Sequence, residues 1–234
     1  MRALLLAAGL GTRLRPLTET VPKCLVPIHG RPLLDYWFER LLGSGRIERI
    51  LVNTSYLAQQ VRAHVAASPW RTFVDLVHEE ELLGTGGTVL ANRDWFGAGP
   101  FLVAHADNLT TFDVAGVLEG HRRRPEGCAV TMMTFHTDSP RSCGIVELDP
   151  RGVVIGFHEK AANPPGNNAN AAVYVFEPEV LEFLAGLGRR TIDLSTEVLP
   201  HFVGRIVAVA NRGYHRDIGS LDSLAKAQQE FRPV

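Results

Sequence analysis

The sequence predicts an α/β fold: a mixed, mostly parallel sheet with helices on both faces, in a single domain spanning residues 1–234. Short β-branched apolar runs alternate with helical patterns, a glycine turn directly follows the first run, and a single hairpin signal interrupts the alternation. Residues 2–8 read as a buried strand ending in the glycine turn. Further strands are expected at 49–54, 73–78, 101–104, 129–135 and 171–176. Pro32 suits a first helical position, and Leu33, Leu34, Trp37, Phe38, Leu41 and Leu42 recur at helical spacing before Gly43 and Gly45, so a helix is expected there. Helical patterns also cover 58–67, 85–92, 114–124, 178–187 and 221–231, the last with Ser220 as N-cap. Asp149-Pro150-Arg151-Gly152 is a turn between runs at 144–148 and 153–158, which predicts an antiparallel hairpin and a more mixed second half.

Composition excludes several classes. The 234 residues are 45% hydrophobic and carry 24 Lys+Arg against 25 Asp+Glu, a formal charge of -1. No whole-chain field gathers nucleic acid or anionic lipid, so neither nucleic-acid nor membrane partners are expected. No apolar run approaches the roughly 20 residues that span a bilayer, and the apolar run at the start is too short for a signal peptide. Cys24, Cys128 and Cys143 are odd in number and widely spaced, which argues against a disulfide framework or structural zinc and for a reducing, cytoplasmic location. The nine histidines are scattered without a paired-ligand spacing, against a metallohydrolase. Oligomeric state, including a homo-oligomer, is left open.

Ala7-Ala8-Gly9-Leu10-Gly11-Thr12-Arg13-Leu14 exposes backbone N–H groups after a strand, where open α/β sheets place ligands. Gly9 and Gly11 suit either an ordinary tight turn or a phosphate cradle. Leu14 stands where a dinucleotide fingerprint has its third glycine, and a Walker A ending is absent. Arg13, Arg15 and Lys23 instead follow within a proline-stiffened segment, a suitable grip for a triphosphate. Lys23 is one of only three lysines, with Lys160 and Lys226, in a chain that otherwise uses arginine. A compact ammonium retained against that bias suggests a phosphate or a close ion pair.

Gly9-Leu10-Gly11-Thr12-Arg13-Leu14-Arg15-Pro16-Leu17-Thr18, then Pro22-Lys23-Cys24-Leu25-Val26-Pro27-Ile28 and Gly30-Arg31-Pro32-Leu33-Leu34, resemble the signature of the sugar-1-phosphate nucleotidylyltransferases. The resemblance extends along the chain to about residue 231, leaving no room for the appended β-helix or acyltransferase domain of some relatives. It implies a Rossmann-like nucleotide-binding fold and joining of a nucleoside triphosphate to a sugar 1-phosphate with release of pyrophosphate.

What the resemblance implies can be placed residue by residue. Arg13, Lys23 and Asp107 would be catalytic. Gly9, Gly11, Thr12, Arg13, Glu79, Gly84 and Thr85 would bind the nucleotide. Asp107, just past an apolar strand, and Asp217, in an Asp-Ile-Gly element, would hold Mg²⁺, which asks for few carboxylates when phosphate oxygens complete its shell. Asn108, Gly144, Glu159, Lys160 and Asn170 would bind the sugar phosphate.

His78-Glu79-Glu80-Glu81-Leu82-Leu83-Gly84-Thr85-Gly86-Gly87 resembles the base-reading segment of the branch that makes GDP-mannose and GDP-heptose. An ionised Glu only accepts hydrogen bonds, and guanine offers adjacent N–H donors, so Glu79 and Glu80 favour GTP. The alternatives are a UTP- or dTTP-dependent transferase, or a nucleotide-sugar-binding regulatory subunit without turnover. Ala106, Cys24, Ala161 and Ala172 depart from the family pattern, removing no charged group but narrowing the space around the sugar.

Overall fold

A computed structural model of the chain describes residues 1–233. In chain order its strands are β1 (Arg2–Leu6), β2 (Pro27–Ile28), β3 (Arg31–Pro32), β4 (Arg49–Thr54), β5 (Val74–His78), β6 (Phe101–His105) and β7 (Asn108–Thr110). They continue with β8 (Val130–His136), β9 (Gly144–Leu148), β10 (Val154–Glu159), β11 (Asn168–Phe176), β12 (Ile206–Ala210) and β13 (His215–Asp217). The helices are α1 (Leu33–Gly43), α2 (Ala58–Ala67), α3 (Gly84–Ala91), α4 (Arg93–Phe96), α5 (Val114–Arg122), α6 (Glu179–Gly186) and α7 (Leu221–Glu230). The packing divides into two compact units: residues 1–82, 104–114 and 213–234, and residues 83–103 and 115–212.

In the first unit β1, β4 and β5 form a parallel ladder, with Leu6 opposite Asn53 and Asn53 opposite Val77. Ala3, Leu4 and Leu5 of β1 are fully buried, as its unbroken apolar run requires. α1 buries Leu33, Leu34, Trp37, Phe38 and Leu41, the stripe read from its spacing. Pro32 differs from the expectation. Its extended ψ of 138° makes it the residue before the helix, and it pairs with Pro27 in the β2–β3 ribbon. Ser220 caps α7 as expected, its side chain accepting from the Ser223 N–H at 3.2 Å.

The second unit is the more mixed. β9 and β10 form the expected antiparallel hairpin, β11 runs antiparallel to β8 and meets β9 at Ala169–Ile145, and β12 lies parallel to β8. The hairpin turn is fixed by Asp149, whose Oδ1 accepts the N–H groups of Arg151 at 2.8 Å and Val153 at 2.9 Å, while Gly152 takes a φ of 78°. No helix among the described residues is long and apolar enough to cross a membrane.

Candidate active site

The first unit builds the glycine turn from its own carbonyls. Gly11 adopts a φ of 62°, and its carbonyl accepts the Leu14 N–H at 2.9 Å and the Thr18 hydroxyl at 2.7 Å. A Cβ at Gly11 would lie 2.9 Å from Thr18 Cγ2 and 3.3 Å from Lys23 Cβ, so only glycine lets the following segment fold back against the turn. A Cβ at Gly9 would meet nothing within 4 Å, which leaves its backbone open on that side. Leu14 plugs the turn into the core, whereas Thr12 and Arg13 remain exposed.

Lys23, Asp107, Asp217 and Arg13 come together although they span almost the whole sequence. Lys23 Nζ donates to Asp107 Oδ2 at 2.5 Å and to Asp217 Oδ1 at 3.3 Å. Arg13 Nη2 lies 3.7 Å from the other oxygen of Asp217. The two aspartates are brought close by the short β7–β13 pairing, in which Asp217 lies opposite Asn108 and the Ile218 N–H donates to the Asp107 carbonyl at 3.2 Å. Gly219 makes room for the cation: its Cβ would stand 2.7 Å from Arg13 Nη2 and 2.8 Å from Asp217 Oδ2.

Burial opposes the charge on Lys23, but the two carboxylates outweigh it and raise its pKa. Burial likewise pushes Asp107 up, and Lys23 and then His105 overcome that and hold its carboxyl below the usual value. The cluster is therefore an ammonium held between the carboxyl groups of Asp107 and Asp217. Burial drives the neighbouring His215 down to about 3 despite the opposing field of Asp107, so its ring is neutral. Among the described residues no group of three or more His, Cys, Asp or Glu could enclose a metal. Two partly exposed carboxylates alone fit a Mg²⁺ ion that keeps water and phosphate oxygens in its shell, and they do not fit a closed structural site.

Asn108 is buried, and its carbonyl accepts the Trp37 indole N–H at 2.9 Å. Glu79 is buried too, its Oε1 accepting from Asn53 Nδ2 at 3.0 Å, whereas Glu80 and Glu81 are exposed.

The second unit gathers the remaining candidates. Glu159 pairs with Gly144 across β10 and β9, and a Cβ at Gly144 would lie 2.6 Å from Glu159 Oε2. Lys160, at a φ of 47°, places Nζ 3.3 Å from Glu159 Oε1. Asn170 Oδ1 accepts the Ala172 N–H at 2.9 Å and its Nδ2 donates to the Tyr174 hydroxyl at 2.7 Å, at a bulge where Ala172 takes a φ of 52°. The Thr85 hydroxyl accepts the Leu194 N–H at 2.7 Å and lies 3.2 Å from Asp193 Oδ2. Gly86 and Gly87 both donate to the Ile192 carbonyl, and a Cβ at Gly84 would lie 2.5 Å from that oxygen. This glycine run is thus required on one side by the strap at residues 190–192.

Sequence reading gave no role to Asn53, Thr18, Tyr174 or the strap. Thr18 stood inside the quoted motif and could have been found there. Asn53 could not, because a single Asn ending an apolar strand carries no spacing signal.

A parallel strand followed by a glycine turn, with one ammonium and one guanidinium set against two aspartates, is an arrangement that could hold a polyphosphate together with a divalent ion. The nucleotidyl transferase family model matches residues 2–232, and the chain belongs to this family, the sugar-1-phosphate nucleotidylyltransferases. Mannose-1-phosphate guanylyltransferase of Mycobacterium tuberculosis (strain ATCC 25618 / H37Rv) is 30% identical over 98% of this chain and 64% of its own length. Glucose-1-phosphate thymidylyltransferase of Streptomyces griseus is 31% identical over 98% of this chain and 65% of its own. The chain thus spans a little under two thirds of these curated relatives. Among solved structures, HddC from Yersinia pseudotuberculosis complexed with GMP-PN has a TM-score of 0.82 at 27% identity, covering 99% of both chains. A Bacillus anthracis structure described as a putative glucose-1-phosphate thymidylyltransferase shares the fold, with a TM-score of 0.86 at 19% identity.

Proposed function

We propose that the chain joins a nucleoside triphosphate to a sugar 1-phosphate. A phosphate oxygen of the sugar attacks the α-phosphorus in line, the bond from that phosphorus to the β-phosphate bridging oxygen breaks, and pyrophosphate leaves with the electron pair. No covalent enzyme intermediate is needed, so positioning and charge neutralisation carry the rate. The observation that carries this reading is the Lys23 ammonium held between Asp107 and Asp217 beside the glycine turn.

In this reading Gly9, Gly11 and Thr12 offer backbone to the polyphosphate, and Arg13 holds the β- and γ-phosphates and the leaving pyrophosphate. Lys23 meets the charge that develops at the α-phosphate. Asp107 and Asp217 would hold Mg²⁺, which would neutralise phosphate charge when bound. Glu159 accepts from sugar hydroxyls, Lys160 pairs with the sugar phosphate, Gly144 offers its backbone N–H to a sugar hydroxyl and leaves room for the Glu159 carboxylate, and Asn108 and Asn170 complete sugar recognition. Gly84 and Thr85 contact the nucleotide.

The base is guanine and the sugar is of the mannose or heptose type. The guanylyltransferase relatives and the complex of HddC with GMP-PN support that choice, as does the exposed carboxylate of Glu80, an acceptor for the guanine N–H groups. A cytoplasmic setting suits the three free cysteines. The test is pyrophosphate release with Mg²⁺ across GTP, UTP, dTTP and ATP, each with mannose, heptose and glucose 1-phosphates. GTP with a manno-configured sugar leads if the reading holds, and a lead for UTP or dTTP overturns the choice of base. Binding of both substrates without release would favour a regulatory subunit.

A further inference from the structure

We infer that Glu79 is a positioning residue for the polyphosphate turn, acting through Asn53, and that it does not read the base. The inference rests on the proposed assignment of the glycine turn to polyphosphate.

β1 ends at Leu6, whose carbonyl accepts the Ala106 N–H at 3.0 Å, immediately before Asp107. The next N–H, that of Ala7, opens the glycine turn and has left the β1–β4 ladder. It is taken by Asn53 Oδ1 at 2.7 Å. Asn53 is 3% exposed, so the direction of its amide is set by protein groups. An amide can turn either end towards a backbone N–H, but only its oxygen can accept. On its other side stands Glu79 Oε1, 3.0 Å from Asn53 Nδ2. Glu79 Oε1 accepts there, so it takes the NH₂ end of the amide and leaves Oδ1 facing Ala7.

Glu79 is itself held: its side chain is buried, and its N–H donates to the Thr54 carbonyl at 2.8 Å. The carboxyl ends of β1, β4 and β5 are thus locked by one chain of donors and acceptors, Ala7 to Asn53 to Glu79. This chain fixes where the turn begins, and with the Leu6–Ala106 bond it fixes the turn against Asp107. A carboxylate placed to direct an amide acts equally on every nucleotide.

The test exchanges donor and acceptor with near-isosteric side chains. Asn53→Asp sets two carboxylates face to face, while Asn53→Asp combined with Glu79→Gln restores a complementary pair, the amide now on the other side. KM for GTP and for UTP and the inhibition constant of inorganic tripolyphosphate, which has no base, are measured in full-length protein. Asn53→Asp is expected to raise all three by a common factor of about tenfold, the scale of one lost buried hydrogen bond. Adding Glu79→Gln is expected to return them to within about threefold of the starting values, with the GTP-to-UTP ratio constant throughout. If Asn53→Asp does not fold, recovery of folded, active protein by the paired exchange supports the inference equally. A GTP-to-UTP ratio that shifts with Glu79→Gln alone while tripolyphosphate inhibition stays unchanged overturns it, as does failure of the pair to restore the single variant. Tripolyphosphate that does not compete with nucleotide in the unsubstituted protein overturns the underlying assignment of the turn, and the inference with it.

Discussion

Lys23 has a side chain only 8% exposed and donates to two carboxylates, so its ammonium is both fixed in charge and fixed in place. The proposed function makes Lys23 and Arg13 donors to the transition state; losing one such donor costs on the order of 10²–10³ in turnover, so Lys23→Ala or Arg13→Ala is expected to fall in that range with the fold retained. Lys23→Arg is not expected to rescue, because a planar guanidinium cannot occupy the buried point-charge position between Asp107 and Asp217. Gly219→Ala tests the same cluster from behind. Its Cβ would press on the tip of Arg13 and on the Asp217 carboxylate and not on the backbone, so melting should change little while KM for nucleotide rises severalfold. Gly144→Ala should push Glu159 aside and raise KM for the sugar phosphate, leaving KM for nucleotide near its starting value. Residues with a chemical peculiarity were legible from sequence, such as a lysine retained among arginines. Asn53 was not, because its role depends on which backbone N–H lies beside it.

At the scale of elements, β1, α1 and the β9–β10 hairpin followed from periodicity and turn chemistry, because each buries a continuous stripe or carries its own turn signal. β7 and β13 did not, being three residues each and defined only by mutual pairing, yet they bring Asp217 to Asp107. In the second unit, His121 ties α5 to β8 and to the end of β11. Its Nδ1 lies 2.8 Å from the Thr131 hydroxyl and its Nε2 lies 3.0 Å from Glu177 Oε1. A neutral ring satisfies both, accepting from the hydroxyl and donating to the carboxylate. Burial, then Arg124, depress its pKa against the pull of Glu177. A depressed folded-state value contributes stability above the unfolded value of about 6.5, and that stability is lost as pH falls towards the folded value. The melting temperature should therefore drop on acidification below about pH 6.5, and His121→Gln should flatten that drop, read by thermal melts across pH. An unchanged slope in the variant would remove this network as its source.

At the scale of the molecule, the family was legible because its signature is a long ordered run of residues around one turn, which chance does not assemble. The substrate pair was not. Relatives of similar identity are named for GTP with mannose, dTTP with glucose and UTP with glucose, so overall likeness does not separate the substrate pairs. Glu79 illustrates the limit: its place in the motif suggested contact with the base, while its burial against Asn53 is what the inferred positioning role rests on.

The central claim is that Asp107, Lys23 and Asp217 form one device that binds a divalent ion with the polyphosphate. Its most direct test is the Mg²⁺ dependence of pyrophosphate release in the unsubstituted protein and in Asp217→Asn, which keeps the shape and removes the charge. The account expects turnover to fall at least tenfold at limiting Mg²⁺, with half-maximal activity displaced to higher Mg²⁺, the scale of losing one charged ligand. Identical Mg²⁺ curves with turnover within about twofold would contradict it.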